Sequence, residues 1–211
     1  MKNIHFFGAA LAPLFLFLLA AGCSQVMLEV PEKEPLAINS IGILPVHPAA
    51  VAVLEADAAT RQQLEDGATV LDFLLGDYFQ GRDNVHFIAQ DTLEGLQSYA
   101  SGDPLRLALE AGQQLQYDAV LVTDIARYQT RAGSTYASDK PASVAFSFKL
   151  LAMANGQVIW NGEFDQAQQP LFENILGSRS TGSGFRWLTA PELAAAGLTK
   201  KLNSCPYLLR D

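Results

Sequence analysis

Residues 143–164, SVAFSFKLLAMANGQVIWNGEF, leave this chain the least freedom in how it folds. Val144, Phe146, Phe148 and Leu150 alternate with Ser143, Ala145, Ser147 and Lys149. A period of two puts the first set on one face of a β-strand and the second set on the other. Asn155-Gly156 follows, a pair suited to the centre of a two-residue hairpin because that turn needs positive φ at both positions. Gln157–Phe164 then reads as the returning strand. Upstream, Asp118–Thr130 is apolar at first and polar towards its end, as in a buried strand that emerges into water. The second half is therefore expected to be a β-meander, with residues 131–140 as the loop at one end and Asn-Gly as the turn at the other.

The first half has a different rhythm. Ile38–Val46 is a nearly continuous apolar stretch, as in a strand buried on both faces, and Pro45 and Pro48 end it. Leu64, Ala68, Leu71, Leu75 and Tyr78 recur at helical spacing and form one stripe of an α-helix, with Asp57 or Thr60 as its cap and Gly81 past its end. Asn84–Ala89 reads as a short strand. Asp91 with Glu94 three residues on predicts a capped helix through Tyr99. Asp103-Pro104 is a strong helix start, since proline at the first helical position loses no hydrogen bond. Gly177–Gly184 reads as a flexible segment, and Thr189 with Glu192 predicts a capping box on a last helix. The expected order is β-α-β-α-α-β-β-β-α. It implies an α/β fold: a single-domain sandwich of helices on one side of a mixed sheet, ending in an antiparallel β-meander.

Ahead of the domain, Lys2 precedes an uncharged run from Phe6 to Ala21. The run is shorter than the roughly 20 residues that span a bilayer, and Pro13 interrupts it. This is the pattern of a secretory signal. Its end, Leu19-Ala20-Ala21-Gly22-Cys23, resembles the lipobox of bacterial lipoproteins, although Leu19 stands one place further from the cysteine than in the best examples. The resemblance implies cleavage before Cys23 and a triacylated, palmitate-bearing Cys23; multiple chains hold a protein stably on a membrane where one does not. Ser24, rather than Asp, points to the outer membrane under the enterobacterial sorting rule. The expected organisation is a signal peptide at 1–22, a lipidated N-terminus and tether at 23–36, rich in Pro and Glu, and a globular periplasmic domain at 37–211.

Without residues 1–22 the chain keeps its 22 acids and loses Lys2 from its 14 basic residues, a net charge of −9. That argues against nucleic acid, whose phosphates require Lys and Arg, and against electrostatic binding to anionic lipid. With Cys23 acylated, Cys205 has no partner in the chain and is expected to be buried in the apolar tail Cys205–Leu209. His47 and His86 are the histidines beyond the signal, and neither has another His or Cys nearby in sequence, so no metal site is expected. His86 reads as structural. His47 follows the first strand, where sites often form. No serine lies in a Gly-x-Ser-x-Gly elbow. Gly177, Gly182 and Ser183 carry the glycine spacing of a phosphate loop but lack its lysine, so nucleotide binding is rejected there, and no cofactor is implied. Arg179, Phe185, Arg186 and Trp187 are residue types favoured at interface hot spots and are candidate partner contacts. Trp160 is expected to pack against the sheet. The carboxylates Asp118, Asp124, Glu163 and Asp165 are spread along strands with no identifiable acid–base pair.

The segments IGILPV, YDAVLVTDIARY and NGQVIWNGEF are similar to bacterial envelope lipoproteins with a TolB-N-terminal or CsgG-like α/β domain, including those that activate penicillin-binding proteins and several uncharacterised lipoproteins. The resemblance covers roughly residues 37–170. It implies that the first strand lies beside the DAVLV strand and that GQVIW closes the hairpin; it brings no catalytic residues. The expected function is non-enzymatic: protein–protein contact in envelope assembly or upkeep. The alternative is an envelope hydrolase or small-ligand binder with a cleft near His47. A third possibility is a homo-oligomer.

Overall fold

The computed structural model describes residues 36–99, 102–133, 138–168 and 188–208. Leu36 apart, these lie in the second of two units into which the chain divides, Ala37–Asp211. The elements in chain order are β1 (Ile41–Ile43), β2 (His47–Pro48), α1 (Ala50–Glu55), α2 (Ala58–Tyr78), β3 (Val85–Phe87), α3 (Gln90–Glu94), α4 (Pro104–Gln114), β4 (Ala119–Gln129), β5 (Ala132–Gly133), β6 (Ser138–Lys140), β7 (Ser143–Ala152), β8 (Gln157–Ala167) and α5 (Ala190–Leu202). One sheet runs β3-β1-β4-β7-β8, with β2 also on β4, and β5 pairs with β6. β3, β1, β2 and β4 are mutually parallel where they pair; β7 and β8 are antiparallel additions. The mixed α/β sandwich and its meander are as expected, and β1 does lie beside the DAVLV strand.

The sheet is covered on both faces, where helices on one side were expected. Ile41, Ile43, Ala119, Leu121, Ile125 and the alternating set Val144, Phe146, Phe148 and Leu150 pack with Leu64, Leu71 and Leu75 of α2 and with Leu193, Leu198 and Leu202 of α5. On the other face Leu44, Val120, Val122 and Leu151 pack with Leu93, Leu96, Ala108 and Ala111, from α4 and the α3 region. The physical reason is visible in β4, whose consecutive residues Ala119–Val122 are all fully buried. A strand apolar at every position needs cover on both sides.

Local chemistry sets the ends. Asp57 accepts a hydrogen bond from Thr60 N (2.8 Å) and caps α2. Asp103 accepts from Leu105 N and Arg106 N ahead of Pro104, and Thr189 with Glu192 forms the expected capping box. The turn between β7 and β8 is not the expected two-residue one: it runs Met153–Gly156, with Ala152 opposite Gln157, and Gly156 (φ +66°) but not Asn155 takes positive φ. Three further expectations are corrected. The first strand is not Ile38–Val46 but the shorter β1: Pro45 has no N–H to offer on the β3 side, and Val46 N, next in line for β4 after Leu44 N, goes to Asp72 Oδ1 instead; the chain re-pairs at His47 as β2. The N-cap of α3 is Ala89, not Asp91, whose carboxylate instead accepts from the adjacent Thr92 N (3.0 Å). That helix stops at Glu94 rather than Tyr99, with Gly95 as its C-cap.

Candidate functional site

Beyond Pro45, at the C-terminal end of the parallel strands, the polar residues gather. Register places His47 opposite Asp124, Asp124 opposite Ser147 and Ser147 opposite Glu163, so one row crosses the sheet from β2 to β8. His47 Nε2 lies 2.9 Å from Asp124 Oδ1, and Lys149 Nζ donates to Asp124 Oδ2 at 3.0 Å. Asp124 itself is buried, at 8% exposure. Burial works to raise its pKa, but the hydrogen bonds and charges of His47 and Lys149 outweigh it and hold the carboxyl below its ordinary value. Asp72 of α2 sits nearby and accepts from Val46 N (2.9 Å). Its balance is opposite: burial raises its pKa by more than the Val46 N–H and His47 lower it.

Next to His47 is a cavity of about 230 Å³. Leu44, Leu93, Pro104 and Leu107 give it apolar walls, while Gln90, Tyr99 and His47 bring polar groups. Gln90 Nε2 donates to Tyr99 Oη at 2.7 Å, fixing the tyrosine. Ser98, also lining the cavity, is held by Glu110, which accepts from Gln97 N (3.0 Å) and Ser98 N (2.7 Å). The Ser98 hydroxyl also bonds Glu110 and is the first cause of that carboxyl's lowered pKa.

Chemically this is a set of struts. His47 directs one nitrogen to Asp124 and turns Nδ1 to the Pro45 carbonyl at 3.4 Å. Neutral imidazole carries one N–H, so these two contacts cannot both be hydrogen bonds, and Nε2 meets Asp124 by charge and proximity rather than in hydrogen-bond geometry. Among the described residues no group of three or more His, Cys, Asp or Glu could hold a metal ion. No described helix is long and apolar enough to cross a membrane.

Of the residues singled out by sequence, His47 and Asp124 are brought together, a pairing that their separate places along the chain did not make identifiable. Glu163 shares their row, and Asp165 pairs with Arg127. Asp118 is structural, since its Oδ2 accepts from Asn39 N (2.8 Å) and Ser40 N (3.0 Å) and pins the chain entering β1. His86 is exposed on β3 and stacks on Tyr117, with ring centroids 5.5 Å apart. Trp160 stacks over Phe148 of the sheet, as expected. Cys205 is fully buried and free, and burial pushes its thiol pKa up. Cys23, Arg179, Phe185, Arg186 and Trp187 lie outside the described residues. Sequence reasoning missed Lys149, although its place among Ser143, Ala145 and Ser147 on the non-core face marked it as polar. It also missed Asp72, which shows no signal beyond helical phase.

No family model and no curated protein matches the chain. Solved structures do resemble it. The PelC dodecamer from Paraburkholderia phytofirmans aligns with a TM-score of 0.46 and 16% identity, over 83% of this chain and 92% of that one. The LpoB C-terminal domain from Salmonella enterica aligns at 0.37 with 13% identity, over 64% and 87%. Lipoprotein GNA1162 from Neisseria meningitidis aligns at 0.32 with 15% identity, over 65% and 90%. At TM-scores below 0.5 these are likenesses only, and function has to be argued from this chain's own residues.

Proposed function

We propose that this chain is a bacterial envelope lipoprotein, anchored through acylated Cys23, that acts by binding a protein partner and carries out no reaction of its own. The anchor rests on the sequence pattern around Cys23, and outer-membrane placement on Ser24. The observation that carries the binding reading is the cavity beside His47, whose ring nitrogens lie near Asp124 and the Pro45 carbonyl. The cavity's size supports the same reading. Sites for drug-sized ligands run from about 300 to 1,000 Å³, and about 230 Å³ with apolar walls and a polar rim suits one anchoring side chain of a partner. Arg179, Phe185, Arg186 and Trp187 enter the same proposal as candidate partner contacts by residue type alone.

The test is photo-crosslinking in cells. A crosslinking residue at Tyr99, on the cavity rim, is expected to capture one discrete envelope protein. The same residue at Gln62, on the exposed side of α2, is expected to capture none. No capture from Tyr99, together with loss of a hydrolytic activity in a folded His47→Ala variant, refutes the reading. Metabolic labelling with a palmitate analogue tests the anchor separately: label on the wild type and none on Cys23→Ala is expected.

A further inference from the structure

We infer that the outer edge of β8 takes up an extended partner segment by strand addition, and that this segment alternates basic with apolar residues. Among the described residues, β8 (Gln157–Ala167) has β7 as its one strand neighbour. The phase of its ladder can be read from one bond, Gln168 N donating to Ala142 O at 2.9 Å. Opposed residues in an antiparallel pair alternate between those that exchange hydrogen bonds and those that do not. With Ala142 and Gln168 as a bonded pair, the register makes Val144 with Gln166, Phe146 with Phe164, Phe148 with Gly162 and Leu150 with Trp160 bonded pairs too. The backbone N–H and C=O groups of Asn161, Glu163 and Asp165 therefore point away from β7, to the edge. Such a row is a template for another strand.

The side chains at this edge define what suits it. Asn161, Glu163 and Asp165 are exposed and share the face that carries Asp124 and Lys149. Asp165 is answered by Arg127, and Glu163 stands at the β8 end of the row that His47 opens on β2, three strands away. On the opposite face, the half-buried Trp160 ring lies over Gly162, where a Cβ would fall 2.7 Å from the ring. A strand added here would set one residue opposite Glu163 and its neighbours on the Trp160 side. Lys or Arg suits the first position and an apolar residue the second, by cross-strand charge and aromatic pairing. A second copy is a poor occupant. β8 contains two acids and no Lys or Arg, so pairing it with itself brings acid to acid. This inference does not depend on the cavity or on its proposed partner.

The test uses the full chain and short labelled peptides, read by fluorescence anisotropy. A peptide alternating lysine with valine is expected to bind more tightly than one alternating glutamate with valine by about tenfold, since two cross-strand pairs change from opposite to like charge. Asn161→Pro removes an edge N–H and no β7–β8 bond, a place where proline is tolerated. It is expected to weaken lysine-peptide binding by about tenfold at a nearly unchanged unfolding temperature. Glu163→Lys is expected to abolish or reverse the charge preference, and it carries the test alone if the proline variant does not fold. Equal binding of both peptides, binding of neither, or a preference untouched by Glu163→Lys overturns the inference. So does a wild-type dimer that Asn161→Pro converts to monomer.

Discussion

Two glycines in α2 should respond in opposite directions to the same substitution. Gly76 has nothing within 4 Å of an added Cβ. Alanine there gains helix propensity and loses unfolded-state entropy, so stability should rise by about 0.5–1 kcal/mol. Gly67 lies on the buried stripe, where an added Cβ would meet Tyr128 Cγ at 2.5 Å and Cβ at 2.6 Å, and Ile125 Cδ1 at 2.6 Å. The tyrosine atoms sit next to the backbone and cannot swing aside. Ile125 is fully buried on β4, the strand paired on both sides. Reaching an ordinary contact of about 3.5 Å would move the helix off the sheet by roughly 1 Å. Overpacking of this kind costs about 1–3 kcal/mol, and the rigidity of the neighbours puts Gly67 at the upper end. Less the propensity gain, Gly67→Ala should destabilise by about 2 kcal/mol, or about 4–8 °C in Tm for a domain of this size. Thermal unfolding of the wild type and both variants by circular dichroism decides it. A Gly67→Ala protein that melts at or above the wild-type temperature refutes the packing argument, whatever Gly76→Ala does.

Asp124→Ala would leave His47 and Lys149 without their carboxylate. Removing one partner of a buried pair costs about 3–5 kcal/mol, but these two side chains are 34% and 37% exposed, so about 2 kcal/mol is expected; adding Lys149→Met should recover part of it in chemical denaturation. The two carboxylates should also have opposite pH signatures. Asp124, with its folded pKa lowered, stabilises fully above its unfolded value of about 3.8, and that contribution is lost as pH falls through the lower folded value. Asp72, with its folded pKa raised, favours the fold most below about 3.8 and loses that contribution as pH rises through the folded value, so Asp72→Asn should raise neutral-pH stability while still accepting from Val46 N. Asp57→Ala, which removes the α2 cap, should cost about 1 kcal/mol by the same denaturation assay.

Much of the fold could be read from the residues because its signals are local. Alternation in β7, Asp103-Pro104 and the Thr189–Glu192 box each act within a few residues, and each forms as read; Asn155-Gly156 marks the turn but not its two-residue form. The second helical layer was also in the sequence: Ala119–Val122 is apolar at every position, which already demands cover on both faces of β4. What misled was Pro45. Its lack of an N–H ends β1 on the β3 side, yet the apolar character of Leu44 and Val46 continues past it because they face opposite sides of the sheet, in separate clusters. A proline two residues before a histidine thus looks like the end of a strand, whereas here it offsets the chain by just enough to re-pair it.

That offset also explains why the site stayed hidden. His47 and Asp124 are 77 positions apart in sequence, and what joins them is the parallel register of β2 on β4. Lys149 reaches the same carboxylate through a different register, β7 on β4. Each residue alone has a bland reading: a loop histidine, an acid in a strand, a lysine on a polar face. Only two independent pairings turn them into a network. The same logic predicts how the network would fail. A one-residue slip of β7 against β4 would carry Lys149 to the core face and Phe148 to the polar one. The buried row Val144, Phe146, Phe148 and Leu150 therefore enforces the register that lets Lys149 meet Asp124, and the apolar face of the meander positions the polar one. A Phe148→Ser change should therefore cost more than a cavity: it weakens the side-to-side preference that holds β7 in register. Hydrogen exchange should show lost protection along both β4 and β7, and lost protection confined to residues touching position 148 would argue against this coupling.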